Sequence, residues 1–255
     1  MAGADSTRLR AEHFGAVMRE NNNFREGLQN GIPICLGYFS VSFAFGIFAV
    51  SNGLSILETL LISMTNVTSA GQLAAVPIIT GGGTLIELAV SMFVINLRYA
   101  LMSVSLSQKL GRSVRMADRF LIAFVNTDEV FAVASAKPSL VGRYYLFGLI
   151  LTPYLGWSAG TLLGAVAGNI LPAIVVSALG VAIYGMFLAI IIPPAKKSRA
   201  TALCILMAVA LSCAFYYIPA LQAVPSGFVV ILCAVAASAL FAAVAPVAEQ
   251  EGENG

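Results

Sequence analysis

Charged residues are scarce in this chain. They make up 10% of the 255 residues, hydrophobic residues make up 59%, and the mean hydropathy is +0.89. Soluble domains carry about 25% charged residues. The composition therefore excludes an ordinary soluble domain and predicts an all-α polytopic membrane protein. The net charge of +2 is too small to indicate a nucleic-acid partner.

Residues for several common kinds of site are also missing. No HExxH motif, phosphate-binding GxxxxGK[ST] loop or dinucleotide fingerprint occurs. The pattern GxSxG occurs once, around Ser158, but the only histidine, His13, lies in a polar N-terminal stretch, and Ser158 lies in an apolar segment typical of a membrane helix. We expect no cofactor, no enzymatic activity and no metal or disulfide site, since no CxxC spacing joins the four cysteines, Cys35, Cys204, Cys213 and Cys233.

Apolar segments of near-membrane length follow one another along most of the chain. A spanning helix needs about 20 mostly apolar residues. On that rule we identify eight segments, at 32–50, 56–79, 84–107, 120–136, 143–166, 171–193, 200–218 and 226–247. We predict a polar lead-in over 1–31, a single transmembrane domain over 32–247 and an acidic tail over 248–255.

The positions of the basic loops do not fit an arrangement in which all eight segments cross the membrane. With the N-terminus inside, the richest basic cluster, 109–119, would lie outside, against the positive-inside rule. The conflict disappears if segments 56–79 and 120–136 do not cross. We therefore predict six full transmembrane helices, two broken or re-entrant segments, and both termini in the cytoplasm. Eight simple crossings with one misplaced loop is the alternative.

Both exceptional segments carry polar residues at their centres. Segment 56–79 contains a small and polar stretch from Ser63 to Gln72, and segment 120–136 contains Asn126-Thr127-Asp128-Glu129. Irregular backbone at membrane depth is tolerated only where protein or a water-filled cavity covers it. Broken helices of this kind form the substrate sites of many secondary transporters.

Three ionisable residues lie deep in apolar stretches: Arg98, Asp128 and Glu129. An ionised group at the bilayer centre costs roughly 2.5 to 3.5 kcal/mol. We predict that Arg98 pairs with one of the two carboxylates, and that the other one takes up and releases a proton. Which carboxylate does which stays open, and a purely structural pair between helices is the alternative.

Neutral polar residues surround these charges in sequence. Asn66, Thr68, Ser69, Gln72 and Asn96 would supply hydrogen bonds along a substrate or proton path, and a helix that starts within 66–72 would present free N–H groups to a carboxylate. Hydrogen bonding between packed helices explains the same residues equally well.

Two further features are read as structural. Glu58 and Glu87 lie near segment starts, where a carboxylate is favoured, and we interpret them as interfacial. Gly160, Gly164 and Gly168 allow a neighbouring helix to approach closely. That helix could belong to this chain or to a partner subunit.

Several of these stretches together resemble one known family. The chain is similar to the AzlC-type branched-chain amino-acid permeases through four ordered signatures over roughly residues 25–190. The signatures are a first span with Gly31-Ile32-Pro33 and Phe43-Ala44-Phe45-Gly46, a small-residue stretch that ends at Gln72, Asn96-Leu97-Arg98, and Thr127-Asp128-Glu129. Thr68-Ser69 and Tyr99 depart from the family pattern, which often has Ala-Gly and His at these positions.

The resemblance implies export of branched-chain or related small amino acids across the cell inner membrane, coupled to the proton gradient. It also implies a two-component system in which this chain is the large subunit beside a small AzlD-like membrane partner. A membrane scaffold or assembly subunit that transports nothing is the alternative function.

Overall fold

Helices form almost all of the regular structure in the computed structural model, which describes residues 20–172, 174–175, 178, 185, 188 and 191–244. The helices are α1 (Phe24–Ser51), α2 (Ile56–Thr65), α3 (Ser69–Thr80), α4 (Leu85–Ser107), α5 (Met116–Phe124), α6 (Asp128–Ser135), α7 (Arg143–Gly168), α8 (Arg199–Tyr217) and α9 (Ser226–Val244). Two short strands, β1 (Glu20–Asn21) and β2 (Leu140–Val141), pair in parallel.

Five of the helices are long and apolar enough to cross a membrane: α1, α4, α7, α8 and α9. They correspond to five of the six predicted full crossings, so the all-α polytopic membrane fold is confirmed. The sixth predicted crossing, 171–193, lies largely outside the described residues, as do the acidic tail and most of the polar lead-in.

Helix α1 begins earlier than its apolar stretch. The side chain of Asn23 accepts hydrogen bonds from the backbone N–H groups of Arg25 and Glu26, which fixes the N-terminus at Phe24. The last residues of the predicted lead-in, 24–31, are therefore helical. A count of apolar residues misses this turn because its charged side chains lie at the helix end.

The chain divides into two compact units, one of 1–73 and 96–180 and one of 74–95 and 181–255. In the first unit α1 packs along α7. A Cβ atom at Gly27 would lie 2.1 Å from the carbonyl oxygen of Tyr145, and one at Gly46 would lie 2.3 Å from that of Thr161. Residues near the start of α1 contact residues near the start of α7, and residues towards the end of α1 contact residues towards the end of α7. The two helices are therefore parallel.

The predicted row of small residues lies in this contact. Gly160, Gly164 and Gly168 of α7 all approach α1, and a Cβ at Gly164 would lie 2.0 Å from the carbonyl oxygen of Phe43. The row therefore serves packing within the chain.

Both predicted breaks are present. The first separates α2 from α3 at 66–68, and the second separates α5 from α6 at 125–127. In each break a hydrogen bond between residues two apart in sequence turns the backbone. The N–H of Thr68 donates to the carbonyl of Asn66, and the N–H of Thr127 donates to that of Val125. We call these breaks the first tip (66–68) and the second tip (125–127).

Three polar connections meet on one side of the first unit. The N–H of Gly111 donates to the carbonyl of Val141 (2.8 Å), and the N–H of Gly142 donates to that of Asn21 (2.7 Å). These bonds join the residues before α1, after α4 and before α7. We call this the basic side because these connections, the neighbouring 115–119 and the adjoining helix ends carry Arg25, Lys109, Arg112, Arg115, Arg119, Lys137 and Arg143.

The positions of the helix ends relative to the basic side show on which side each broken segment starts and ends. Helix α1 starts on the basic side and α4 ends there, so the connection from α1 to α4 starts and ends on the opposite side. The segment with the second tip starts and ends on the basic side, where Lys137 Nζ lies 2.7 Å from Glu26 Oε1. Burial alone would lower the pKa of Lys137, but the Glu26 carboxylate raises it. Both segments are therefore re-entrant, as predicted.

In the second unit α8 packs on α9, and Glu87 is buried. One carboxylate oxygen of Glu87 accepts a hydrogen bond of 2.8 Å from the backbone N–H of Gly227, in the first turn of α9. The interfacial interpretation suits Glu58, which forms an exposed capping box with Ser55. Glu87 differs because the N-terminus of α9 lies over it.

Candidate functional site

The middle of α4 contacts both tips, and all of these contacts lie within the first unit. Asn96 Nδ2 donates to Asn66 Oδ1 (3.4 Å), and the Tyr99 hydroxyl donates to Thr68 Oγ1 (3.2 Å), both at the first tip. Arg98 Nη1 lies 2.5 Å from Asp128 Oδ2, directly after the second tip. One turn of α4 thus joins the two re-entrant segments.

These contacts lie at mid-depth. Glu129, in the first turn of α6, accepts a hydrogen bond from the Tyr38 hydroxyl, whereas Lys137 at the far end of α6 pairs with Glu26. Along α1, Tyr38 is about 18 Å from Glu26 at 1.5 Å per residue. Because the hydrocarbon core is about 30 Å thick, the second tip lies near its centre.

The two adjacent carboxylates have different partners. Asp128 forms an ion pair with Arg98, and Glu129 has the neutral Tyr38 hydroxyl. Both carboxylates lie in the first turn of α6, where the helix dipole stabilises negative charge. The predicted pairing of Arg98 with a carboxylate is thus observed, and its partner is Asp128.

The arginine also binds a neighbour on its own helix. Arg98 Nη2 donates to the Tyr99 hydroxyl (3.0 Å), which in turn donates to Thr68 Oγ1. A continuous series of hydrogen bonds therefore runs from Asp128 through Arg98 and Tyr99 to the first tip. Two of the three positions that depart from the family pattern, Thr68 and Tyr99, are in direct contact.

Several buried polar atoms near the tips have no hydrogen-bond partner among the described residues. They include both amide atoms of the fully buried Gln72, Oδ1 of Asn96 and Oδ1 of Asn126. Buried polar groups in proteins nearly always have a partner, so such a concentration indicates a place for water or a polar ligand. Ser69, the remaining predicted site residue, begins α3 one residue after the first tip.

Sequence reasoning did not identify Tyr38 or Trp157. Tyr38 holds Glu129, and the ring of Trp157 lies edge-on to that of Tyr38 at 5.1 Å between centroids. An aromatic residue in an apolar helix carries no signal of such a role. Tyr99 did carry one, since it follows Arg98 directly and departs from the family pattern.

The GxSxG match has no nucleophile geometry. Ser158 lies inside α7, and its hydroxyl donates to the carbonyl of Tyr154 (2.9 Å), as is usual for a serine within a helix. Within the described ranges, no group of three or more His, Cys, Asp and Glu side chains is placed to hold a metal ion.

Comparison with known proteins identifies the family. The sequence model of the AzlC protein family matches residues 33–171. This range is more than half of the chain and includes every residue of the two tips. The chain belongs to the AzlC family.

Individual relatives of this AzlC protein are membrane proteins. It is 30% identical to the inner membrane protein YgaZ of Escherichia coli over 190 residues, which cover 71% of this chain and 76% of YgaZ. It is 35% identical to an uncharacterized membrane protein of Archaeoglobus fulgidus over 175 residues, which cover 68% of this chain and 76% of that protein. No solved structure matches it significantly. The part of the chain that the structure describes contains five long apolar helices, so the protein is a multi-pass membrane protein of this family.

Proposed function

We propose that this AzlC protein is a secondary transporter that exports branched-chain or related small amino acids and couples export to the proton gradient. The observation that supports this most is the turn of α4 from Asn96 to Tyr99, which contacts both re-entrant tips at mid-depth. A site between such tips can open to one side of the membrane at a time.

The ion pair in this turn complements an amino-acid zwitterion. The substrate carboxylate would replace Asp128 at the Arg98 guanidinium, and the substrate ammonium would replace Arg98 at Asp128, so each of the two protein charges would keep one partner of opposite charge. The side chains of Arg98 and Asp128 are 52% and 44% exposed. Because charge that faces lipid is costly, this exposure supports access from a water-filled cleft.

Neutral groups around the pair would complete the site. The N-terminus of α3, which begins at Ser69, presents backbone N–H groups that suit a carboxylate. The unpartnered amide of Gln72, together with Asn66, Thr68 and Asn96, would provide the hydrogen bonds that orient the substrate.

Glu129 is the better of the two carboxylates for the coupling proton. Asp128 already has a positive partner in Arg98, so a proton on Asp128 would leave that cation without its counter-ion. The partner of Glu129 is the neutral Tyr38 hydroxyl, so a proton on Glu129 would leave no cation unpaired. We assign proton binding to Glu129 and the role of fixed counter-ion to Asp128.

The orientation and the partner complete the proposal. By the positive-inside rule, the excess of Lys and Arg on the basic side supports a cytoplasmic location for that side, and both termini would be cytoplasmic as well. The small AzlD-like membrane subunit implied by the family resemblance would assemble with this chain as the second component.

Counterflow in vesicles tests the function. Vesicles that contain the protein, with or without the co-expressed small subunit, are loaded with unlabelled leucine and diluted into labelled leucine. We expect accumulation of label that Arg98→Gln abolishes and Arg112→Gln, a substitution in the basic loop, does not. Absence of counterflow for all small amino acids, with and without the partner, would instead favour the scaffold function.

A further inference from the structure

An apolar groove lies on the surface of the first unit. It has a volume of about 480 Å³ and is lined mainly by Phe24 of α1, by Leu121 and Phe124 of α5, and by Phe147, Leu151 and Tyr154 of α7. The one polar atom among these side chains, the Tyr154 hydroxyl, already donates to the carbonyl of Met64 (3.2 Å). The groove therefore suits an apolar ligand.

The groove is open along its length. The side chains at its edges are substantially exposed, with Leu121 at 59% and Phe124 at 50%, whereas Val125 and Ile150 are buried beneath them. Exposed apolar surface in a membrane protein contacts lipid acyl chains, which gain little from hydrophobic burial but do gain from close packing.

The groove runs from the basic side to mid-depth. Phe147, Leu151 and Tyr154 occupy successive turns of α7, and Arg143 lies one turn before them with its guanidinium 5.3 Å from the Phe147 ring. From Arg143 to Tyr154 the helix rises about 16 Å. That distance is about half of a 30 Å hydrocarbon core, the depth of a single leaflet.

Two exposed cations lie next to the groove on the basic side. Arg25 directly follows Phe24, and Arg119 lies two residues before Leu121. The two arginines are exposed, and neither has an ion pair among the described residues. Arg143 is partly neutralised, because its Nε lies 3.1 Å from Asp118 Oδ2. A ligand with an anionic head and an apolar tail matches this arrangement.

We propose that this groove binds one acyl chain of an anionic phospholipid from the leaflet on the basic side, with the lipid phosphate at Arg25, Arg119 and Arg143. Basic pockets between membrane helices bind anionic headgroups in this way. The inner wall of the groove includes Val125 of the second tip, so the bound chain would pack against the back of a re-entrant segment.

Quenching of tryptophan fluorescence by brominated acyl chains tests this. The chain has one tryptophan, Trp157, so Phe147→Trp in a Trp157→Phe background places a single reporter in the groove. The protein is reconstituted in phosphatidylcholine with a low, equal fraction of brominated phosphatidylglycerol or brominated phosphatidylcholine. We expect the brominated anionic lipid to occupy the groove preferentially, by about fivefold for each cation that contacts the phosphate.

Two matched variants make the result specific. Leu101→Trp in the same background places the reporter on an exposed position of α4, where both brominated lipids should quench equally. Arg25→Gln with Arg119→Gln leaves every ion pair of the described residues intact and should reduce the preference at position 147 towards unity. A circular dichroism melt of each variant confirms that it is folded.

Three results would overturn the proposal. Equal quenching by the two lipids at position 147 would mean ordinary lipid contact without recognition of charge. Absence of quenching by both would mean that protein, such as a second copy of the chain, covers the groove. A preference of undiminished size in the double arginine variant would place the headgroup elsewhere.

Discussion

At the residue scale, the neighbouring carboxylates of α6 should respond differently to neutralisation. Glu129→Gln keeps an oxygen that can accept the Tyr38 hydrogen bond, so the protein should fold normally. It should retain leucine counterflow and lose most export driven by a pH gradient. Asp128→Asn leaves Arg98 without its counter-ion and should impair both activities.

The measurement is transport in vesicles with and without an imposed pH gradient. Because Arg98 and Asp128 are both about half exposed, Asp128→Asn should cost only about 1 kcal/mol of stability, which is too little to explain the loss of transport by unfolding. A normal response to the pH gradient in Glu129→Gln would contradict the assignment of the proton to Glu129.

The contact between Thr68 and Tyr99 should affect substrate selectivity. The hydroxyls are hydrogen-bonded at 3.2 Å, and Tyr99 also accepts from Arg98. We expect Thr68→Ala and Tyr99→His to change the ranking of competing amino acids in counterflow, and their combination to differ from the sum of the single effects, since bonded neighbours couple. Strictly additive effects would show that the contact has no role in selectivity.

The sequence predicted the charged centre but not its complete surroundings. Arg98 needed an opposite charge at membrane depth, and only Asp128 and Glu129 lay as deep, so the pairing followed from energetics. The choice between them depends on how the second tip turns, which no local pattern encodes. Tyr38 is distant in sequence and has an ordinary apolar context, so its contact with Glu129 required the fold. The transport roles of all these residues stay predictions.

At the element scale, the parallel pair α1 and α7 should depend on backbone contact at glycine. A Cβ at Gly46 would lie 2.3 Å from the carbonyl oxygen of Thr161 and 2.5 Å from the backbone nitrogen of Ala165, so Gly46→Ala must push the helices apart. Such overpacking costs about 1 to 3 kcal/mol. The measurement is the thermal unfolding midpoint in detergent.

Gly37→Ala is the matched control on the same helix. Apart from the adjoining backbone of α1, no atom of the described residues lies within 4 Å of the position that its Cβ would take. This substitution should therefore leave the unfolding midpoint unchanged or raise it through higher helix propensity. An equal loss in both variants would mean that helix backbone effects, and not contact between α1 and α7, determine the result.

The elements were predicted well where polarity interrupts an apolar run. Both breaks lie where small or polar residues occupy the middle of a segment, and both are present at 66–68 and 125–127. The start of α1 was placed too late because the Asn23 cap and the Glu26–Lys137 pair stabilise a turn that has little hydrophobicity. The burial of Glu87 could not be foreseen, since it depends on Gly227, which is 140 residues away.

At the scale of the whole molecule, the hydrogen bonds on the basic side predict which loops share a compartment. Single cysteines at Arg112 and Lys137, in a background without the four native cysteines, should react with an impermeant maleimide from one side of the membrane. Cysteines at Asn52 and Thr80 should react only from the other side, because α1 and α4 run between the two sides.

This pattern distinguishes the re-entrant arrangement from eight simple crossings. If both broken segments crossed, Arg112 would lie opposite Lys137, and Asn52 opposite Thr80. If only one crossed, α1 and α7 would be antiparallel, which the contacts of Gly27 with Tyr145 and of Gly46 with Thr161 exclude. The basic side carries seven cations and three carboxylates (Glu20, Glu26 and Asp118), so the positive-inside rule predicts that it is cytoplasmic. Labelling of positions 112 and 137 from the cytoplasmic side would confirm this orientation. Labelling of both from outside would leave the re-entrant fold intact and reverse its orientation in the membrane.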